Sequence, residues 1–219
     1  MSSKEKLNEV AYNYIFEAIL LGKFRSGTFI NIDSISENLH ISKTPIREAL
    51  LELEGEGAVV RNGRYYNIFY PSRTEVLDIY EVRKILEGEA AGLAAINPSI
   101  EMIRDLEFTI NTIEKISKLE KPDPIAFADL SGKFHSIICN ESGNNFLSKV
   151  TNDIRMKLKI VRVTSFTSFN RREEDIIEHK AVFKAIKEKN SSLAKELMLD
   201  HQTKVIDYVK RELLIQFYE

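Results

Sequence analysis

The run Ile41-Ser42-Lys43-Thr44-Pro45-Ile46-Arg47-Glu48-Ala49-Leu50 is where the sequence first commits to a structure. Thr44-Pro45 is a helix start: threonine at the N-cap, and proline at the first helical position, where no backbone N–H is needed. Ile46, Ala49, Leu50 and Leu53 then recur at three- and four-residue steps, which makes one face of that helix apolar. Gly55 and Gly57 mark its end. Immediately upstream, Ser34-Ile35-Ser36-Glu37 has the form of a capping box and predicts a short helix to about Leu39, with His40-Ile41-Ser42 as the link.

Working outward, residues 4–22 predict a further helix, with Leu7, Val10, Ala11, Tyr14, Ile15, Ala18 and Ile19 on one face and Gly22 as its stop. Arg25-Ser26-Gly27 reads as a turn. Downstream, Val59-Val60-Arg61 and Arg64-Tyr65-Tyr66-Asn67-Ile68 are strand-like and flank Asn62-Gly63. Asn-Gly in that setting predicts a hairpin closed by a type I′ turn. Two short helices joined by a tight turn and followed by a hairpin describe a winged helix-turn-helix.

After Pro71 the pattern is helical only. Helices are expected at 74–96, 99–119, 123–140, 144–168, 172–189 and 191–217, interrupted at Asn97-Pro98, Lys121 to Pro124, Ser142-Gly143, Phe169-Asn170 and Asn190. The expected fold is mainly α: a winged helix-turn-helix of three helices plus a β-hairpin over residues 1–70, then an all-α bundle of six to seven helices over residues 71–219.

Composition narrows the class without naming a function. Apolar residues are 43% and charged residues 29%, enough for ordinary packed cores. No apolar run is long enough to span a bilayer, and the start of the chain lacks the apolar stretch of a secretory signal, so the expected location is the cytoplasm. A single cysteine, Cys139, excludes an intrachain disulfide. The net charge is −2, and residues 1–70 hold eight Lys/Arg against nine Asp/Glu. Bulk charge therefore gives no support to nucleic-acid binding; placement must carry it. Lys43 and Thr44 lie at the mouth of the second helix of the pair, where backbone N–H groups favour phosphate. Arg47 lies one turn in and can reach a guanine edge, a contact worth about 1–3 kcal/mol of discrimination. Arg61 and Arg64 bracket the wing tip around Gly63.

The segment Ile41 to Leu50, followed by Leu53-Glu54-Gly55-Glu56-Gly57, resembles the recognition helix of the GntR family of bacterial transcription regulators. Ile19, Gly22, Phe24 and Gly27 resemble its helix-to-turn segment. The resemblance implies that Lys43, Thr44, Arg47 and the wing around Gly63 contact double-stranded operator DNA. Lys43 stands where the family has arginine; it keeps a phosphate contact but loses the planar fork.

The remainder resembles the FCD class of GntR effector domains in three stretches: Glu81 to Glu87 with Ala90 to Ala95; Phe134-His135 with Ser142-Gly143-Asn144; and Glu178-His179-Lys180 with Met198 to His201. The resemblance implies a homodimer and a small-molecule effector. It also puts His135, His179 and His201 at positions where many such domains bind a divalent metal. Each lies on an apolar face, and three converging imidazoles suit zinc or nickel. Metal-binding members carry an aspartate four residues before the first histidine. Here that residue is Ser131, and Asp129 points about 240° away around the helix. A site short of one carboxylate is more cationic, which favours a small organic acid as effector. Arg83 is the expected anchor for its carboxylate, the alternative being a pair with Glu87 one turn on. Tyr80, Arg155 and Arg162 are weaker candidates, and Ser131 faces the same region.

Two other readings stand beside this one. In a metal-responsive regulator the cation itself is the signal. A histidine-metal hydrolase would need a general base at the metal, and none of the usual local patterns is present: no His-Glu-x-x-His, no Gly-x-Ser-x-Gly and no phosphate-binding glycine loop. Cys139, four residues after His135, reads as a core thiol rather than a nucleophile or ligand. The expectation is a regulator, not an enzyme.

Overall fold

The computed structural model describes residues 3–20, 29–68, 72–158, 161 and 169–213. The chain divides into two compact units, Met1–Pro71 and Ser72–Glu219.

The first unit runs α1 (Ser3–Leu20), α2 (Ile32–Leu39), α3 (Lys43–Gly55), β1 (Val59–Asn62) and β2 (Tyr65–Ile68). Its core is the apolar stripe of α3: Ile46, Ala49, Leu50 and Leu53 are all fully buried, with Ile15, Phe16 and Ile19 of α1 and Ile35 of α2 also in the interior. The stripe expected on α1 is buried only from Ala11 onward; Leu7 and Val10 are exposed. The Tyr12 hydroxyl donates to Glu56 at 2.6 Å, tying α1 to the end of α3.

Three local details differ from the sequence reading. The cap of α2 is Asn31, not Ser34. Its side chain accepts from the N–H groups of Asp33 and Ser34, so Ser34 already lies in the first turn. Likewise α3 begins at Lys43 after Ser42, which makes Thr44 a helical residue and Pro45 the third one. Proline is tolerated there because N–H groups of the first turn have no acceptor within the helix. The hairpin register is also displaced by one residue. Asn62 pairs with Tyr65, so the two-residue loop is Gly63-Arg64. Gly63 has φ +63, and Arg64 is not among the described non-glycine residues of positive φ. A glycine-first loop is the signature of a type II′ turn, which needs only one left-handed residue and frees Asn62 for the ladder. An isolated bridge also joins the two-stranded wing: Phe29 pairs with Asn67, and Ile30 donates to the Tyr66 carbonyl at 2.8 Å. Gly22, Arg25 to Gly27, Phe24 and Pro71 lie outside the described residues.

The second unit contains, among the described residues, six α-helices: α4 (Arg73–Ala94), α5 (Ile100–Ser117), α6 (Pro124–Asn140), α7 (Asn145–Lys157), α8 (Phe169–Lys187) and α9 (Ser191–Tyr208). A π-helical turn, Val209–Leu213, follows. The caps are those that polar side chains before an apolar-periodic run provide: Ser72 with Glu75 in a full capping box, Ser99, Asp123 before Pro124, and Asn190. The expected helix 144–168 is described as far as Lys157, and most of its remainder lies outside the described residues. One core packs Ala91, Ala94, Met102, Leu106, Phe134, Ile138, Val182, Ile186 and Met198. A smaller one joins Val76 and Tyr80 to Leu158, Val161, Ile206 and Val209.

Helix α9 lies close along α4 because α4 carries glycines where the two meet. A Cβ at Gly88 would sit 2.6 Å from Leu199 Cδ2, and one at Gly92 would sit 3.3 Å from Lys195 Cβ. The Ser191 hydroxyl donates to the Gly92 carbonyl at 2.7 Å. This close approach brings the middle of α9 against Glu87. Gly88→Val should therefore cost about 1–3 kcal/mol by overpacking, measured by urea denaturation. Gly55→Ala, with nothing within 4 Å of the added carbon, is the control. Equal stability of the two variants would rule out close α4–α9 packing as the reason for Gly88.

Candidate nucleic-acid interface and metal centre

In the first unit, burying the α3 stripe turns the opposite face outward. Lys43, Thr44 and Arg47 are exposed there, while Pro45 and Ile46 between them are buried. Lys43 forms an ion pair with Asp33 at the start of α2. Lys43, Arg47 and Arg64 share a cleft of about 690 Å³ with Phe29, Asn31 and Tyr65. Arg61 and Arg64 are exposed on the wing, and Arg61 Nε donates to the Gly63 carbonyl at 3.2 Å. Of the cations that the sequence singled out, Lys43, Arg47 and Arg64 thus line one concave surface, and Arg61 is not part of its lining. Sequence reasoning missed the aromatic pair on it: Phe29 and Tyr65 are 60% and 62% exposed and meet edge-on with centroids 5.6 Å apart. Phe29 has no strand pattern around it, so only the wing pairing reveals its position.

In the second unit, His135 of α6, His179 of α8 and His201 of α9 come together, all at most 1% exposed. One ring nitrogen from each lies within 4.8 Å of the others. His135 Nε2 and His179 Nε2 are 3.1 Å apart. Two nitrogens bound to one zinc-sized ion, at about 2.0–2.1 Å each, lie roughly 3.0–3.4 Å apart. Burial pushes all three imidazoles well below their ordinary pKa, which favours the neutral, ligating form.

The opposite ring nitrogens meet carboxylates. His135 Nδ1 lies 2.7 Å from Glu87 Oε2, His201 Nδ1 lies 2.7 Å from Glu178 Oε2, and His179 Nδ1 lies 3.4 Å from Asp175 Oδ2. A carboxylate close behind an imidazole, as at His135 and His201, is the arrangement that fixes ring orientation at metal sites. Buried His135 Nδ1, His179 Nδ1 and Asp175 Oδ2 make no aligned hydrogen bond among the described residues. The converging ring nitrogens, together with the uncommitted Asp175 oxygen, are nitrogen and carboxylate donors of the kind that fit a divalent cation. A cleft of about 400 Å³ lined by Ile177, Lys204 and Tyr208 reaches Glu178 from outside.

Glu87 is the centre of the surrounding charge network. It accepts from Arg83 Nε at 2.8 Å and Nη2 at 3.3 Å, Arg155 Nη1 at 2.8 Å and Gln202 Nε2 at 2.6 Å. Burial alone would raise the Glu87 carboxyl, but Arg83, His135 and Arg155 hold it well below the usual carboxylate range. Burial lowers Arg155, whereas for Arg83 the attraction of Glu87 outweighs burial and the net shift is upward. Arg83 thus makes the i+4 pair with Glu87 inside the bundle, and Tyr80 lies against it, 5.5 Å from ring centroid to guanidinium. Ser131 is buried, and it favours the charged form of the Asp175 carboxylate against the burial that raises it. Arg162 lies outside the described residues. Burial pushes the Cys139 thiol up to about 12, so it stays protonated, as a core thiol does.

Sequence reasoning named Glu87 only as an alternative partner of Arg83 and missed Asp175 and Glu178. Asp175 was legible in principle, because it lies four residues before His179 on the same helical face; Glu87 and Glu178 needed the tertiary contacts.

The comparisons with known proteins agree with this architecture. Residues 7–65 match the family described as bacterial regulatory proteins, gntR family, and residues 78–204 match the FCD domain. The chain is 28% identical over 205 residues to the uncharacterized HTH-type transcriptional regulator YdhC of Bacillus subtilis, covering 92% of this chain and 90% of that one. It is 24% identical over 183 residues to the gluconate operon transcriptional repressor of Bacillus licheniformis, covering 80% and 73%. The solved structure of E. coli McbR/YncC superposes with a TM-score of 0.69 at 20% identity, covering both chains fully. No helix among the described residues is long and apolar enough to cross a membrane. With a gntR-family head and an FCD domain that alone spans more than half of its length, the chain belongs to the GntR family of transcriptional regulators, FCD subfamily, and is not an enzyme.

Proposed function

We propose that this regulator is a repressor that binds a two-fold operator as a homodimer in the cytoplasm, and that a small organic acid controls it through the helical unit. One observation carries the DNA reading: Lys43, Thr44 and Arg47 form the exposed face of a helix whose other face is the core, and Arg64 of the wing shares a cleft with Lys43 and Arg47. In a major groove, Arg47 meets base edges while Lys43, Thr44 and the α3 N-terminus meet phosphates. Arg61, Gly63 and Arg64 place the wing against the adjacent backbone. Two such heads are needed for a symmetric site, which is why a dimer is required. The gluconate operon repressor among the relatives supports repression as the output.

Charge supports an acidic effector. At Glu87 itself, Arg83 and Arg155 bring two positive charges against one negative charge, leaving one in excess around that carboxylate. A carboxylate entering beside Arg83 and Ser131 would meet that excess. His135, His179 and His201 would hold a divalent cation, zinc or nickel, which supplies a Lewis-acidic anchor for an anion. The effector needs only to bind better to one of the operator-competent and operator-incompetent states, with a coupling of about 1–3 kcal/mol. A second reading, in which the cation itself is the signal, is favoured by the entry cleft that ends on Glu178.

Arg47→Ala should raise the dissociation constant for the DNA upstream of the regulator's own gene roughly 5- to 150-fold, read by fluorescence anisotropy at two salt concentrations. Unchanged affinity would remove α3 as the reading helix. For the cation, elemental analysis of the purified chain should find about one divalent ion per chain, and His179→Ala should lose it. Full metal content in that variant would show that the ion is held elsewhere.

A further inference from the structure

Three neutral imidazoles supply no charge, yet the cation they would hold is divalent and sits among side chains at most 1% exposed. Such a site is costly unless an anion shares it. Three carboxylates border the cluster, and their existing partners separate them. Glu87 is saturated by Arg83, Arg155 and Gln202, at 2.6–2.8 Å for the nearest atom of each. Glu178 is held by Arg171 Nη2 at 2.9 Å and lies behind His201 Nδ1 at 2.7 Å. Asp175 differs. It is 2% exposed; its Oδ1 has only a long contact to Arg171, at 3.5 Å, and its Oδ2 has no hydrogen bond among the described residues. The 3.4 Å between Oδ2 and His179 Nδ1 lies outside hydrogen-bond geometry, so that oxygen is not committed to the ring.

Position agrees with chemistry. Asp175 is one turn before His179 on α8, and Ser131 is one turn before His135 on α6. Burial raises the Asp175 carboxyl above its ordinary range, and Ser131 acts in the opposite direction, favouring the charged carboxylate. Asp175 forms a second such group with Glu178 and His201, one ligand atom of each lying within 4.8 Å of the others, and His201 is the histidine this group shares with the three-imidazole one.

We propose that Asp175 is the anionic fourth ligand of this centre, so that α6, α8 and α9 together supply three imidazoles and one carboxylate, and that Ser131 is the residue that positions it. The assignment rests on the metal reading above. One carboxylate reduces the net charge of a divalent site from +2 to +1 and leaves coordination positions open for an exogenous anion. Such a mixed nitrogen and oxygen set suits zinc, nickel, cobalt or manganese.

The test uses the full chain stripped of metal and titrated with cobalt(II), whose visible absorption reports the ligand set, followed by competition with zinc. Asp175→Asn keeps the size and removes the charge. It should weaken zinc binding by more than about 100-fold, beyond the 10- to 100-fold typical of a residue behind the ligands, and shift the cobalt band. Ser131→Ala, which leaves the charge in place, should weaken binding only about 10-fold with the band unmoved. Adding Ser131→Asp to Asp175→Asn places a carboxylate beside the same site from α6 and should restore both affinity and band. A cobalt spectrum and affinity in Asp175→Asn equal to those of the unaltered chain, with binding still lost in His179→Ala, would overturn the Asp175 assignment while leaving the three-histidine site standing. No binding by the unaltered chain would overturn both.

Discussion

The interior of the helical unit depends on one buried carboxylate. Glu87 of α4 is reached by Arg83 of its own helix, Arg155 of α7, Gln202 of α9 and the Nδ1 edge of His135 of α6. Removing a carboxylate from water costs several kcal/mol, and only donors from several elements at once can offset it. That requirement sets the relative placement of four helices. It also explains the glycines of α4: Gly88, next to Glu87, lets α9 come close enough for Gln202 to reach the carboxylate. The same carboxylate lies behind a candidate metal ligand and between two arginines of the proposed effector region, so cation and anion sites share a member.

The head obeys a simpler constraint. Ile46, Ala49, Leu50 and Leu53 must be buried, and a helix that buries that stripe has no choice but to present Lys43, Thr44 and Arg47 to solvent. The bridge at Phe29 and the glycine-first turn at Gly63 fix the wing beside that face. A net charge of −2 is thus compatible with a locally cationic surface, because Lys43, Arg47 and Arg64 share that cleft with a single carboxylate, Asp33.

Elements whose logic is periodic were legible in the sequence. The α3 stripe, the helix pair, the hairpin and the succession of helices after Pro71 follow from apolar spacing and caps. The three histidines were found through family resemblance, and apolar neighbours at helical spacing agreed with it. What failed was local competition between near-equivalent residues. Asn31 outcompeted Ser34 as a cap because its longer side chain spans two N–H groups at once. The hairpin closed on Gly63-Arg64 because a single positive φ suffices there. The partner of Arg83 was open in sequence, since an i+4 carboxylate and a ligand carboxylate are the same chemistry; burial of both side chains selected Glu87. Asp175 and Glu178 were passed over because charged residues on a helix usually face water, and only the convergence of α6, α8 and α9 turns them inward.

The central claim is that an operator-binding head is controlled from the histidine-lined interior of the second unit. The most direct measurement is operator affinity by anisotropy at fixed salt, before and after the divalent ion is removed by chelation and again after it is restored. The account predicts a reversible change of roughly 5- to 150-fold, the span of a coupling of about 1–3 kcal/mol. An operator affinity that stays constant while elemental analysis shows the ion leaving and returning would contradict it.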